Sequence, residues 1–198
     1  MNVLTRDKYL LENPKFGSFD KGFKQYGRYL AVLERNDAKD ILSIYDVQEW
    51  SCHKSIYLDS TDSADLAFSK DGRFIFVWES IVNSKIYIYD LNGKFVKDFS
   101  LAEPIKKIDF SDHFCAICTA STNVYLLSTT SWCLFSEIDF NSEITYNIFM
   151  EKAGNGEDDL PSYEVDTAPT IPNVKEEPKS PDLAFSQDGK YLAIKHRS

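Results

Sequence analysis

The chain has 198 residues, 43% of them hydrophobic, and a formal net charge of −9. That composition excludes disorder throughout and repels nucleic-acid phosphates and anionic membranes, so the expected partners are proteins, not nucleic acid or lipid. No run approaches the roughly 20 apolar residues of a membrane span, and charged Arg6, Asp7 and Lys8 stand where a signal peptide is apolar. The expected compartment is the cytoplasm or nucleus, and the irregular spacing of Cys52, Cys115, Cys118 and Cys133 agrees with a reducing one.

In chain order, the first strand pattern is headed by Tyr26-Gly27-Arg28-Tyr29-Leu30-Ala31 and followed by Ile41-Leu42-Ser43-Ile44-Tyr45-Asp46. The next unit is clearer, with strands expected at 64–69, 73–79, 85–90 and 94–101, all rich in β-branched and aromatic residues. Asp71-Gly72 and Asn92-Gly93 supply the positive backbone angle of tight hairpins between them. A degenerate copy runs from Lys107-Ile108-Asp109-Phe110-Ser111 through Phe114-Cys115-Ala116-Ile117. Near the end, Asp182-Leu183-Ala184-Phe185-Ser186-Gln187-Asp188-Gly189 repeats Asp65-Leu66-Ala67-Phe68-Ser69-Lys70-Asp71-Gly72 almost residue for residue.

Ile41 and Lys85 open equivalent elements about 44 residues apart, the period of four-stranded propeller blades. The fold expected is therefore all-β, an incomplete WD-repeat β-propeller. It comprises about three blades in residues 1–150 and the first strands of a following blade in 182–198. Between them, 151–181 combines an acidic cluster (Glu157, Asp158, Asp159) with five prolines and reads as a flexible loop. Ser180-Pro181 within it is a candidate site for a proline-directed kinase, against the plainer reading of an unmodified linker.

Alternation of strand direction places the Asp-Gly and Asn-Gly hairpins on one side of each blade. On the other side fall the longer polar loops expected at 35–40, 80–84 and 141–181, where binding usually resides. The candidate partner-contacting residues are Arg35, Asp37, Lys39 and Asp40 in the first loop. Trp78 and Glu79, at the strand end leading into the second, complete the set. Trp78 reads either as core, like Phe74, Phe76, Tyr87 and Tyr89, or as an exposed interface anchor.

Gly27 through Asp40, with its Glu34-Arg35-Asn36-Asp37-Ala38-Lys39-Asp40 string, then Ile44, Glu49-Trp50 and Val77-Trp78-Glu79, resembles the central part of the WRAP-type WD-repeat proteins of centrosomes and spindle poles. The resemblance continues through Lys85 to Lys94 and resumes at Ser162-Tyr163-Glu164-Val165 and Asp182 to Ile194. It implies a scaffold that anchors microtubule minus ends, in complex with a coiled-coil adaptor and, in some lineages, a minus-end-directed kinesin.

No catalytic, cofactor or metal constellation stands out. Cys115-Ala116-Ile117-Cys118 has the spacing of a zinc or redox pair, but an apolar run surrounds it and no second pair accompanies it. His53, His113 and His196 lack partner spacing. Asp46, Asp65, Asp90 and Asp182 sit beside turns, which explains them as turn formers. The alternatives to the scaffold reading are a WD-repeat subunit of another assembly, such as a translation-associated one, and a propeller hydrolase.

Overall fold

The computed structural model describes residues 9–79, 83–120, 123–139, 147–152, 162–167 and 182–195. Among them every regular element is a β-strand, and the strands form four antiparallel sheets of four. The chain divides into two compact units, Met1–Ser100 and Leu101–Ser198, each with two sheets.

The first sheet runs β1 (Phe23–Tyr26), β2 (Tyr29–Asn36), β3 (Lys39–Asp46) and β4 (Ser51–Tyr57) in sequence order. The second does the same with β5 (Ser63–Phe68), β6 (Phe74–Glu79), β7 (Lys85–Asp90) and β8 (Phe95–Ser100). These four strands lie within a residue or so of their expected bounds. Their sequences explain why: in β6 and β7 the apolar residues fill both faces at period two, as strands covered on both sides require.

One of those faces builds the core of the first unit. Ile75 and Val77 of β6, opposite Tyr89 and Tyr87 of β7, pack with Ala31, Leu33, Leu42 and Ile44 of the first sheet. Burial pushes the Tyr89 phenol up, so it stays protonated at any physiological pH. Two polar ties reinforce the packing: Gly22 N donates to Asp65 Oδ1 at 2.8 Å, and Tyr26 Oη donates to the Lys70 carbonyl at 2.8 Å.

The recurring Phe-Ser-x-Asp-Gly string is a self-contained turn. Phe74 N donates to Ser69 Oγ at 3.0 Å, Ser69 Oγ to Asp71 Oδ1 at 2.7 Å, and Arg73 N to the same carboxylate oxygen at 3.0 Å. Gly72, at φ +71°, closes the turn through its N–H to the Ser69 carbonyl at 2.9 Å. Ser186, Asp188 and Gly189 repeat this arrangement, with Ser186 Oγ 2.6 Å from Asp188 Oδ1 and Tyr191 N 2.9 Å from Ser186 Oγ. In the degenerate copy the glycine is gone but Ser111 remains, and Phe114 N donates to its Oγ at 3.0 Å across a shorter turn.

The second unit contains β9 (Ile105–Phe110), β10 (Phe114–Thr119), β11 (Asn123–Ser128) and β12 (Leu134–Asp139) in one sheet. Its other sheet holds β13 (Asn147–Lys152), β14 (Ser162–Thr167), β15 (Asp182–Phe185) and β16 (Tyr191–Lys195), ordered β14-β13-β16-β15. Only the β15–β16 hairpin was expected there. The edge of β16 is filled by β13, which precedes it in the chain, because an unpaired strand edge is satisfied by whatever strand lies within reach. Of the segment expected to be a flexible loop at 151–181, residues 151–152 at the end of β13 and all of β14 belong to an antiparallel β13–β14 pair; its remaining residues, Ser180 included, lie outside the described ones.

Candidate protein-interaction face

The connection between β2 and β3 is tighter than the loop expected at 35–40. Asp37 and Ala38 both adopt left-handed backbone, at φ 47° and 63°, and form a two-residue hairpin turn closed by the Asn36–Lys39 pair. Arg35 and Asp40 are therefore cross-strand partners, not loop residues. The sequence does not announce this turn, because neither central residue is glycine.

Beneath this turn lies a buried ionic latch. Lys15 enters the first sheet beside β2, held by Lys15 N to the Leu33 carbonyl and Arg35 N to the Asn13 carbonyl, each 2.9 Å. Its side chain, 6% exposed, donates to Asp40 Oδ2 at 2.6 Å, Asp62 Oδ1 at 2.7 Å and the Ser63 carbonyl at 2.6 Å, which uses all three ammonium protons. Asp40 Oδ2 also accepts from Ser63 N at 2.6 Å, so the first sheet grips the start of β5. Asp40 Oδ1 accepts no hydrogen bond, but the Arg35 guanidinium stands 3.7 Å away and compensates its charge.

Glu79 works on the same segment. Its Oε1 accepts from Thr61 N and, at 3.4 Å, from Asp62 N, fixing the connection between β4 and β5. Arg35 Nη1 in turn donates to Asp62 Oδ1 at 3.0 Å. The Lys15 ammonium, with Arg35 adding to it, holds the Asp62 carboxyl below its usual range against the opposing effect of partial burial.

The six residues singled out from sequence thus divide. Asp40 and Glu79 are each 1% exposed and Trp78 is 6% exposed, so these three position or pack and do not themselves reach a partner. Trp78 is core because both faces of β6 are covered. Arg35, Asp37 and Lys39 are exposed, and Lys39 Nζ lies 6.0 Å over the ring of the exposed Tyr57. Lys15, Asp62 and Ser63, which complete the cluster, lie 25 residues before and 22 and 23 residues after Asp40 and carried no repeat signal that would have linked them.

The cysteine pair does not converge. Cys115 and Cys118 stand three apart on β10, hence on opposite faces of the strand; both are buried, and burial pushes the Cys115 thiol up. Among the described residues no group of three or more His, Cys, Asp or Glu is arranged to hold a metal ion. Asp90 does what turn chemistry predicts, its Oδ1 accepting from Asn92 N and Lys94 N at 2.9 Å each.

Four-stranded antiparallel sheets in series, tied by a recurring Ser-x-Asp-Gly turn, define a WD-type propeller fold. The chain is 26% identical to the mouse (Mus musculus) WD repeat-containing protein WRAP73 over 141 residues, covering 69% of this chain and 30% of that protein. This bears out the resemblance to WRAP-type WD-repeat proteins carried by residues 27–40 and the strands that follow. No family model matches the chain. Among solved structures, a chain of the mitotic checkpoint complex is similar at a TM-score of 0.51 and 15% identity, covering 84% of this chain and 41% of that one, which supports the fold. BamB from Moraxella catarrhalis superposes at a TM-score of 0.49 and 12% identity over 89% of this chain and 43% of that one. The chain therefore spans less than half the length of each of these proteins.

Proposed function

We propose that the chain is a non-catalytic, protein-binding scaffold in an assembly that anchors microtubule minus ends at the centrosome or spindle pole. The partner is a coiled-coil adaptor, joined in some settings by a minus-end-directed kinesin. The observation that carries the binding role is the exposed Arg35–Lys39 turn held rigid from below by Lys15, Asp40 and Glu79. A turn fixed in this way presents Arg35, Asp37, Lys39 and Tyr57 with little ordering entropy to lose on binding. The resemblance to WRAP-type WD-repeat proteins supports the placement of that role at the spindle pole.

The test is affinity capture with the full-length protein and with its Arg35→Glu/Lys39→Glu variant, combined with imaging. Recovery of a coiled-coil adaptor with the unmodified protein, its loss with the variant, and staining at spindle poles are expected. Recovery of ribosomal subunits instead would assign the chain to a translation-associated assembly and overturn the proposal.

A further inference from the structure

The last strands of the first three sheets share an irregularity. In each, the ladder with the neighbouring strand skips one residue near the strand's start. On β4 the skipped residue is His53, since Tyr45 faces Cys52 and Ile44 faces Lys54. On β8 it is Val96, between the Tyr89–Phe95 and Ile88–Lys97 pairs, and on β12 it is Phe135, between Leu127–Leu134 and Leu126–Ser136. All three skipped residues are exposed, and all three strands are end strands of their sheets. Such a bulge bends the strand and breaks the regular row of backbone N–H and C=O groups along its outer edge. That is how an open edge is kept from accepting another strand.

The fourth sheet ends differently. Its end strand β14 meets β13 at every position from Ser162–Lys152 to Thr167–Asn147, with no skip. Among the described strands β13 is its one ladder partner, so the other edge of β14 presents a straight, uninterrupted row of donors and acceptors.

We infer that the outer edge of β14 docks a second copy of this chain, pairing antiparallel with the same strand. The sequence of β14, Ser-Tyr-Glu-Val-Asp-Thr, suits this pairing in one register. Centred on the link between Glu164 and Val165, Ser162 faces Thr167 of the second copy, Tyr163 faces Asp166, and Glu164 faces Val165. No acidic position then opposes another, and alternation assigns the acidic positions of the two copies to opposite faces of the joined sheet. A slip of one residue either way would set Glu164 against Asp166 or against its own copy, which like-charge repulsion disfavours. The contact is isologous, so it closes as a dimer and adds no third chain at that edge. It is independent of the Arg35–Lys39 turn and of the partner proposed for it.

The test is sedimentation velocity of the full chain across a dilution series. A monomer–dimer equilibrium is expected for the parent. Val165→Glu places a carboxylate opposite Glu164 twice in the dimer and should weaken it about fivefold or more, whereas Val165→Lys should strengthen it by a similar factor. Both substitutions put a charged residue at the same position, so a loss of folding alone would move them together. Lys54→Glu, an exposed change on the bulged strand β4, should leave the equilibrium unchanged. A single monomeric species throughout, Val165→Glu and Val165→Lys shifting the equilibrium in the same direction, or an equal response to Lys54→Glu would each overturn the inference.

Discussion

Lys15 Nζ and Asp40 Oδ2 lie 2.6 Å apart with side chains 6% and 0% exposed, a buried ion pair joining the segment before β1 to the start of β3. Removing one partner of such a pair leaves the other charge uncompensated. Lys15→Met is therefore expected to destabilise the protein by about 3 kcal/mol. Urea denaturation measures this, and Asp40→Leu introduced together with Lys15→Met should recover part of the loss.

The neighbouring Asp62 gives the latch a pH signature. Its carboxyl is held below the usual range in the folded state, first by the Lys15 hydrogen bond and its charge, with Arg35 adding to them. A depressed folded value means that the contribution is fully present above the unfolded carboxylate value of about 3.9. It is lost as pH falls through the lower, folded value. Denaturation midpoints followed from about pH 6 down to about pH 2 should decline more steeply for the parent than for Asp62→Asn. Equal slopes would show that Asp62 gains nothing from the latch.

Backbone conformation yields a pair of substitutions with opposite sign. Ala38 holds φ 63°, which an L side chain adopts at a penalty, so Ala38→Gly should stabilise by about 1 kcal/mol. At Gly72 the angle is +71° and an added Cβ would stand 2.1 Å from the Tyr26 ring, so Gly72→Ala should destabilise by about 2 kcal/mol. For a chain of this size the melting temperature moves by roughly 2–4 °C per kcal/mol, and scanning calorimetry of the two variants resolves both shifts.

Thiol accessibility separates the four cysteines. Cys52 and Cys133 are exposed, whereas Cys115 and Cys118 are buried in β10. Iodoacetamide is expected to alkylate Cys52 and Cys133 in the native protein and the other two only after unfolding, as peptide mass mapping would show. Native labelling of Cys115 would contradict its placement.

The second sheet is readable in detail because Asp71-Gly72 and Asn92-Gly93 announce their hairpins and the aromatic residues Phe74, Phe76 and Trp78, then Tyr87 and Tyr89, recur at period two. Other turns hid. Trp50 and Trp132 both hold left-handed backbone, at φ 50° and 51°, in the β3–β4 and β11–β12 turns, one position later after the strand end than Gly93 in β7–β8. Tryptophan at such a position carries no turn signal, and only the surrounding sheet enforces it. The candidate face was half legible: Arg35, Asp37 and Lys39 are exposed as expected. Asp40 and Glu79 are buried supports, and Lys15 reaches Asp40 from a segment with no repeat of its own. Pairings that span tens of residues follow from the packing of sheets, which local pattern does not encode.

The order of strands in the fourth sheet bears on how the protein is made. In the other three sheets each strand after the first leaves the ribosome beside a partner already present, so pairing keeps pace with elongation. In the fourth, β13 and β14 emerge first and must wait for β16, with Ile148 eventually meeting Ala193. A lone two-stranded hairpin is marginal in water. During that interval the side of β13 that later meets β16 is an open edge, and chaperone demand is expected there.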